Sequence, residues 1–441
     1  DTNEVFFYTA QPEHNRSRLG LGCAWTYETR GSQRFEELQQ AFRDLQVGWA
    51  IHALDETASP TQAAAFVGFA FGADEAASAP WQAWPNTLLS VPKVLLQREA
   101  EIVSLYLSAK PEFLQMPGQR LRQIQDWLKL CKKLLAPVAE VAEKDPAVSL
   151  QLMQCEPENE VWLTQIEQAR QAIHTGDFTK VVPARHLHFQ ASRGLQPAKI
   201  VQKLTQQFPS CTPMGIGLGA STLVAATPEK LVQLKAGRLC CDALGGTMPR
   251  SDHEQRNQQL TDELIQSPRI RREHALVVDQ MVRALEPLCT SLQAAHTPAV
   301  MSLRQLQHLW TPINAQLRAG VGLLDIVARL HPTPAVAGTP TAEAQDWIKQ
   351  NEPFARGWYT GAAGWLEHNG DGELSVILRC ALLQGCQADL YAGAGVVADS
   401  EPAAELAETD LKLRSLLNVL GKNIAENKDS GAVSQAPRAT G

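Results

Sequence analysis

Two hydrophobic periods interleave along this chain, and that mixture restricts its fold more than any other feature. Phe35, Leu38, Phe42 and Leu45 recur at helical spacing, and so do Leu121, Ile124, Leu128, Cys131 and Leu135, the second run stopping at Pro137. Between the two runs, Ala65–Phe71 reads as an apolar strand and Glu101–Leu107 as a strand of alternating character. Steps of three and four residues place an apolar stripe on a helix, whereas strict alternation places an apolar face on a strand. The first third of the chain is therefore mixed α and β.

From Ala136 to Pro157 the sequence turns acidic and carries prolines, which marks a boundary or long connection. Residues 1–155 form the N-terminal part of the fold, 156–422 the region where chemistry is expected, and 423–441, rich in Lys, Asn, Ser, Ala and Gly, a disordered tail. Past the boundary a helix runs to Thr175 and stops at Gly176, and a strand from Thr179 to Phe189 follows, bringing Lys180 to its end. Ser267-Pro268 reads as an N-cap with proline at the first helical position, opening a helix that carries Glu273, Leu276, Val277, Met281 and Leu285. Strand signals return at Leu374–Leu378 and Asp389–Ala392, and a last helix spans Ser400 to about Leu420. No solenoid-type repeat is present.

Composition narrows the function classes. With 441 residues, 44% hydrophobic and 20% charged, the chain is globular and large enough to bury a core. Its net charge of 40 − 47 = −7 gives no attraction to nucleic acid or anionic lipid. The uncharged stretch Thr57–Ala73 is 17 residues long and carries Ser, Thr, Gln, Pro and Gly, too short and polar for a bilayer. The chain opens at Asp1 with no basic-then-apolar run, so no secretion signal is read, although without an initiating Met an upstream piece is compatible with the sequence. Nine cysteines with no C-x-x-C argue against a zinc or dithiol motif and for buried thiols in a reducing cytoplasm.

The last helix holds Glu405, Glu408 and Lys412 on one face, beside an apolar stripe of Leu406, Leu413, Leu417 and Leu420. Two carboxylates on one stripe can hold a hard cation, and for magnesium, which prefers oxygen ligands, Glu408 with one more Glu from elsewhere would suffice; a solvated Glu-Glu-Lys face is the other reading. Gly393-Ala-Gly395-x-x-Ala398 nominally matches a dinucleotide fingerprint, but Asp399-Ser-Glu-Pro402 interrupts the required helix at once. A glycine turn that lets backbone N–H groups approach an anion is preferred. Gly215, Gly217 and Gly219 fit the close approach of another backbone or a ligand. The histidines form no metal-ligand set, and no G-x-S-x-G nucleophile elbow occurs.

Taken together, nine segments in order resemble the chorismate-binding enzymes, specifically the isochorismate synthases. They are Lys180–Arg185, Ala226–Glu229, Leu244–Thr247, Arg272–His274, Gln307–Pro312, His331–Val336, Leu378-Arg379, Tyr391–Gly395 and Glu405–Lys412, with a looser match through Phe66–Phe71. The resemblance implies one large α/β (α+β) unit of antiparallel sheets framed by helices, binding chorismate and Mg2+ in a central cleft. It implies that Lys180 activates water for addition at C2 and that Glu229 protonates the departing C4 hydroxyl. For Lys180 to act it must be neutral in part, which burial or a cation such as Arg185 would favour; a plain Lys180–Glu229 ion pair is the other reading. Glu273 and Glu408 match direct magnesium ligands, and Glu405 a further acidic position near the metal. Arg379 and Lys412 match anion-binding positions, Gly246, Thr247 and Gly395 supply backbone or hydroxyl donors, and His308 and Ala335 match pocket positions. A monomer is implied, with small-molecule chorismate as the partner.

Three departures stand out: Ile270 replaces an acidic residue three before Glu273, Gly245 an alanine and Pro183 a leucine. The aminating relatives, anthranilate and aminodeoxychorismate synthases, and the salicylate synthases usually carry threonine where this chain has Ala335, which favours stopping at isochorismate. A non-catalytic chorismate-binding protein of the same fold is a further alternative. Menaquinone and siderophore routes both start from isochorismate; Gln307–Ile313 and Arg356–Leu366 lean towards a salicylate-making siderophore route.

Overall fold

The structure is a computed structural model that describes residues 5–52, 62–75, 78–135, 148–421 and, as backbone, 423–425. Two large sheets carry it. One has eleven strands, in the order Asn423–Ala425, Ser149–Glu156, Ala184–Ala191, Gln387–Gly393, Cys380–Gln384, Ser221–Thr227, Thr212–Leu218, Phe6–Gln11, Arg16–Leu21, Val94–Glu99, Ile102–Leu107. The other has ten, running Cys289–Ala294, Leu306–Leu317, Arg238–Pro249, Lys230–Lys235, Gly372–Val376, Ala362–Glu367, Ala64–Phe69, Thr87–Val91, Trp25–Thr29, with Ala299–Ser302 added beside Leu306–Leu317. Pairing is antiparallel except where Asn423–Ala425 lies parallel to Ser149–Glu156. This is the expected mixed fold of antiparallel sheets and helices.

The sheets face each other across Phe7, Phe66, Met214, Ile216, Trp358, Trp365 and Leu382. Phe7 and Phe66 stack with centroids 4.1 Å apart. On the opposite face of the same strands Gly217 makes room for the Phe6 ring, to which a Cβ there would lie 2.3 Å away. Gly215 and Gly217 are thus packing devices, whereas Gly219, with nothing within 4 Å and a φ of 62°, serves a turn. The helices Arg34–Gly48, Pro268–Leu285 and Leu323–Leu330 cover the outer face of the ten-stranded sheet. Pro197–Gln207 and Pro402–Leu420 cover that of the other. Burying apolar faces on both sides of each sheet is what makes most strands uniformly buried instead of alternating.

Several local readings change. The strand expected from Thr179 to Phe189 is two, Lys180–Val181 and Ala184–Ala191, because Pro183 supplies no N–H and breaks the ladder. Lys180–Val181 pairs instead with Gly338–Thr339. The strand read at Leu374–Leu378 ends at Val376, and Arg379 beyond it takes a left-handed φ of 49°. The helix Pro117–Leu135 forms, but Leu121 and Leu128 on its apolar stripe are 58% and 55% exposed. The tail drawn from residue 423 opens with three residues that pair as a strand, and 426–441 lie outside the described residues, as do 136–147 of the proposed boundary. Among the described residues no helix is long and apolar enough to cross a membrane, and all nine cysteines are free thiols.

Candidate active site

A cavity of about 90 Å³ opens between the sheets' ends, and its wall contains Lys180, Glu229, Gly246, Thr247, Glu273, His308, Ala335, Arg379, Gly395, Glu408 and Lys412. Every residue singled out from the sequence therefore meets here except Glu405, which sits behind the wall, 3% exposed. They arrive on several elements, Gly246 and Thr247 sharing the strand Arg238–Pro249 and Glu408 and Lys412 the helix Pro402–Leu420. Ser267 accepts a hydrogen bond from the Ile270 N–H, starting the helix whose second turn presents Glu273. Glu229 occupies the turn between two strands, its N–H donating to Thr227 Oγ1 at 3.2 Å and its carbonyl accepting from Val376 N–H at 3.0 Å. Gly246, with φ of 72°, forms a bulge that shifts the register between Gly245 and Thr247 and turns Thr247 toward His308.

The charges are arranged in pairs. Lys180, 1% exposed, lies 3.2 Å from Glu273 Oε1, so its ion-pair partner is Glu273 and not Glu229. Gly395 seals this contact, because a Cβ there would come within 2.5 Å of Glu273 Oε1 and 3.1 Å of Lys180 Cε. Arg185 does not face the cavity. Its fully buried guanidinium binds Asp410 at 2.7 Å, Thr409 at 2.9 Å and Asn159 at 2.8 Å, and so anchors the last helix. Lys412 bridges Glu408 at 2.7 Å and the Gly393 carbonyl at 2.8 Å. Glu405 meets Arg269 at 3.3 Å. The Glu405-Glu408-Lys412 face is thus turned inward and is not a solvated surface.

Burial, reinforced by the Asp242 carboxylate, pushes Glu229 up to about 8, so it holds a proton at neutral pH. Glu405 is raised to about 8 by burial and then by the neighbouring charges of Glu408 and Glu273. For Glu408 burial pulls upward too, but Lys412 overrides it and keeps the carboxyl below its ordinary value. Burial and then Arg379 and Lys412 push His308 down to about 3, leaving a neutral imidazole. Arg379 donates to His308 Nε2 at 3.4 Å, which leaves Nδ1–H to donate to the Gly246 carbonyl at 3.3 Å. His308 thereby orients Arg379 toward an anion.

Do these groups suit a hard divalent cation? Among the described residues no three His, Cys, Asp or Glu side chains converge closely enough to grip an ion. Yet Glu273, Glu405 and Glu408 are oxygen donors near one another, the charges of Glu408 and Glu273 helping to raise Glu405, and each is at present paired with Lys180, Arg269 or Lys412. Carboxylate donors of that kind fit magnesium once the internal cations give way. Ile270, where an acidic neighbour was expected, is 3% exposed and packs under Gly246, whose Cβ would be 2.2 Å from Ile270 Cγ2. Gly245 lies so near the Glu273 helix that a Cβ would stand 3.3 Å from His274 Cα.

Tyr359 and Tyr391 also line the cavity; Tyr391 opens the Tyr391–Gly395 segment but was given no role in the site, and Tyr359 was missed from the sequence. They stack at 5.2 Å, and Tyr391 OH accepts from Trp81 Nε1 at 3.0 Å. Tyr391 shares a strand face with Gly393, a two-residue offset that alternation makes readable. Tyr359 follows no such pattern.

Comparison with known proteins gives a consistent answer. A family model described as chorismate binding enzyme matches residues 1–421. The chain is 31% identical over 421 residues, 95% of its length and 86% of the relative's, to the salicylate biosynthesis isochorismate synthase of Pseudomonas aeruginosa. It is 28% identical over 425 residues, 94% of its length and 88% of the relative's, to the isochorismate synthase MenF of Bacillus subtilis. Among solved structures it resembles the menaquinone-specific isochorismate synthase of Escherichia coli, with TM-score 0.75, 24% identity and coverage of 95% and 89% of the two chains. That last likeness speaks to the fold alone.

Proposed function

Since the chain belongs to the chorismate-binding enzymes, we propose that it is an isochorismate synthase, an isomerase that converts chorismate to isochorismate in a magnesium-dependent reaction. The observation that carries this reading is that Lys180 and Glu229 line one cavity without pairing with each other, Glu229 being held protonated. Two groups poised as base and acid, each within reach of the same ligand, are what a water addition coupled to loss of hydroxide requires.

In this mechanism Arg379 and Lys412 bind the carboxylates of chorismate, the guanidinium by a forked pair of hydrogen bonds. Thr247 and the backbone at Gly246 and Gly395 supply further donors. The Lys180 amine takes a proton from water as its oxygen bonds to C2. Both ring double bonds shift, C1=C2 to C1=C6 and C5=C6 to C4=C5, the C4–O bond breaks, and Glu229 gives its proton to the departing hydroxyl, so that one water enters and one leaves. Glu273 and Glu408, with Glu405 behind them, would hold magnesium, which neutralises carboxylate charge on the substrate when bound. We assign the product to a salicylate-making siderophore route, a choice supported by Gln307–Ile313, Arg356–Leu366 and the kinship with the Pseudomonas enzyme.

The test is to incubate the protein with chorismate, with and without magnesium, and to separate the products by chromatography. Isochorismate formed only with magnesium, and lost in Lys180→Ala and Glu229→Gln, is the expected result. Salicylate with pyruvate, or an aminated product when ammonia is supplied, would reassign the chain to a sister activity. Binding of chorismate without turnover would make it a non-catalytic member.

A further inference from the structure

Arg356 and Glu352 form an ion pair, 1% and 2% exposed, that no step of the proposed reaction uses. All the guanidinium donors are engaged. Nε donates to Glu352 Oε2 at 2.8 Å, and Nη2 to Glu352 Oε1 at 2.5 Å and to the Val182 carbonyl at 2.6 Å. Nη1 donates to the Val336 carbonyl at 2.9 Å and to Thr360 Oγ1 at 3.4 Å. Glu352 Oε1 in turn accepts from the Ala184 N–H at 2.8 Å. The guanidinium lies 4.4 Å over the Phe71 ring, and the Arg356 N–H donates to Glu75 at 3.1 Å.

Both carbonyls belong to residues of the cavity wall. Val182 is two residues beyond Lys180, and Val336 directly follows Ala335. The intervening Pro183 has no N–H to pair, so the strand that carries Lys180 is interrupted where Arg356 and Glu352 take hold of it, at Val182 and Ala184. A buried ion pair is an inefficient way to gain stability, because desolvation offsets the attraction. A rigid fork that spans two backbone segments does fix geometry.

We propose that Arg356, aligned by Glu352, is a positioning residue that holds the Lys180-bearing segment and the Ala335–Val336 segment at a fixed separation, keeping the amine aimed at the ring. This rests on the isochorismate-synthase reading. Lysine at 356 keeps the charge but offers donors from a single point and cannot reach both carbonyls and the carboxylate.

Steady-state kinetics with chorismate and magnesium, together with thermal unfolding, test it on the full chain. Wild type is measured first, followed by Arg356→Lys, Glu352→Gln and Leu204→Ala, the last a buried core position on the outer face of the eleven-stranded sheet. Arg356→Lys is expected to lower kcat about tenfold to a hundredfold with KM within about threefold, the signature of lost alignment in place of lost binding. Glu352→Gln, which keeps an oxygen for the Ala184 N–H, is expected to move kcat the same way by less, and it decides the question if Arg356→Lys does not fold. Leu204→Ala is expected to lose stability with kcat retained. A kcat loss no greater than that of Leu204→Ala, or a rise in KM alone, would overturn the assignment. A wild-type chain that makes no isochorismate overturns both this and the reading beneath it.

Discussion

At the scale of single residues, the site is tuned by what stands behind the reacting groups. Glu229 works only when protonated, and its value of about 8 comes first from burial and then from Asp242. Above that pH its protonated fraction falls about tenfold per unit, so kcat/KM is expected to decline on the basic side of pH 8. Asp242→Asn removes one raising charge while still offering Trp310 Nε1 an oxygen in place of the present 2.8 Å contact. The basic limb should then move to lower pH in a profile of chorismate turnover, and an unmoved limb would dismiss Asp242. The same shift bears on folding. The native chain keeps a proton that the unfolded chain releases between about 4.5 and 8, so this group's contribution to stability is lost as pH rises through that window. Glu229→Gln should flatten that part of the stability profile in denaturant titrations. Gly395 is tuned sterically. With Glu273 Oε1 only 2.5 Å from where a Cβ would be, Gly395→Ala should lower kcat/KM about tenfold to a hundredfold while the unfolding midpoint changes little.

Among elements, the last helix decides whether the carboxylates face the cavity, and its anchoring lies on the side away from them. Arg185, fully buried, holds Asp410 and Thr409, neighbours of Glu408 in the sequence. Asp410→Ala leaves that guanidinium without its carboxylate and is expected to cost about 3–5 kcal/mol by chemical denaturation. A cost below about 1 kcal/mol would show that Asn159 and Thr409 suffice. This helix also marks what could be read from the chain alone. The spacing of Glu405, Glu408 and Lys412 put them on one face, but spacing does not say whether a face is covered; the two-sided burial by sheet and neighbouring helices does. The converse holds for Pro117–Leu135, where a regular stripe forms a helix yet Leu121 and Leu128 remain exposed. Ser267 and Gly176 were legible because caps are set by local chemistry. The ion-pair partner of Lys180 was not, since Glu229 and Glu273 are both remote from it in the sequence and only the packing of the folded chain chooses between them.

Across the whole molecule, the acidic proline-containing stretch that reads as a boundary does not separate two independent bodies. The strand Phe6–Gln11 pairs with Thr212–Leu218, and Ala64–Phe69 pairs with Ala362–Glu367, so each large sheet is completed by strands from both sides of that stretch. The layer between the sheets is shared in the same way, with Phe7, Phe66, Trp81 and Trp84 contributed by the first third and Met214, Trp358, Trp365 and Leu382 by the rest. Removing residues 1–155 would expose edges in the middle of both sheets and strip one wall from the aromatic layer on which Tyr359 and Tyr391 rest. A fragment of residues 156–422 is therefore expected to lack a cooperative unfolding transition and fixed near-ultraviolet circular dichroism, and to leave chorismate unchanged, although it holds every proposed reacting group. The full chain is expected to unfold in one transition, because both large sheets and the layer between them are built from strands of both parts. A fragment that folds cooperatively and turns over chorismate would mean that the first third serves only to cover a self-sufficient catalytic region.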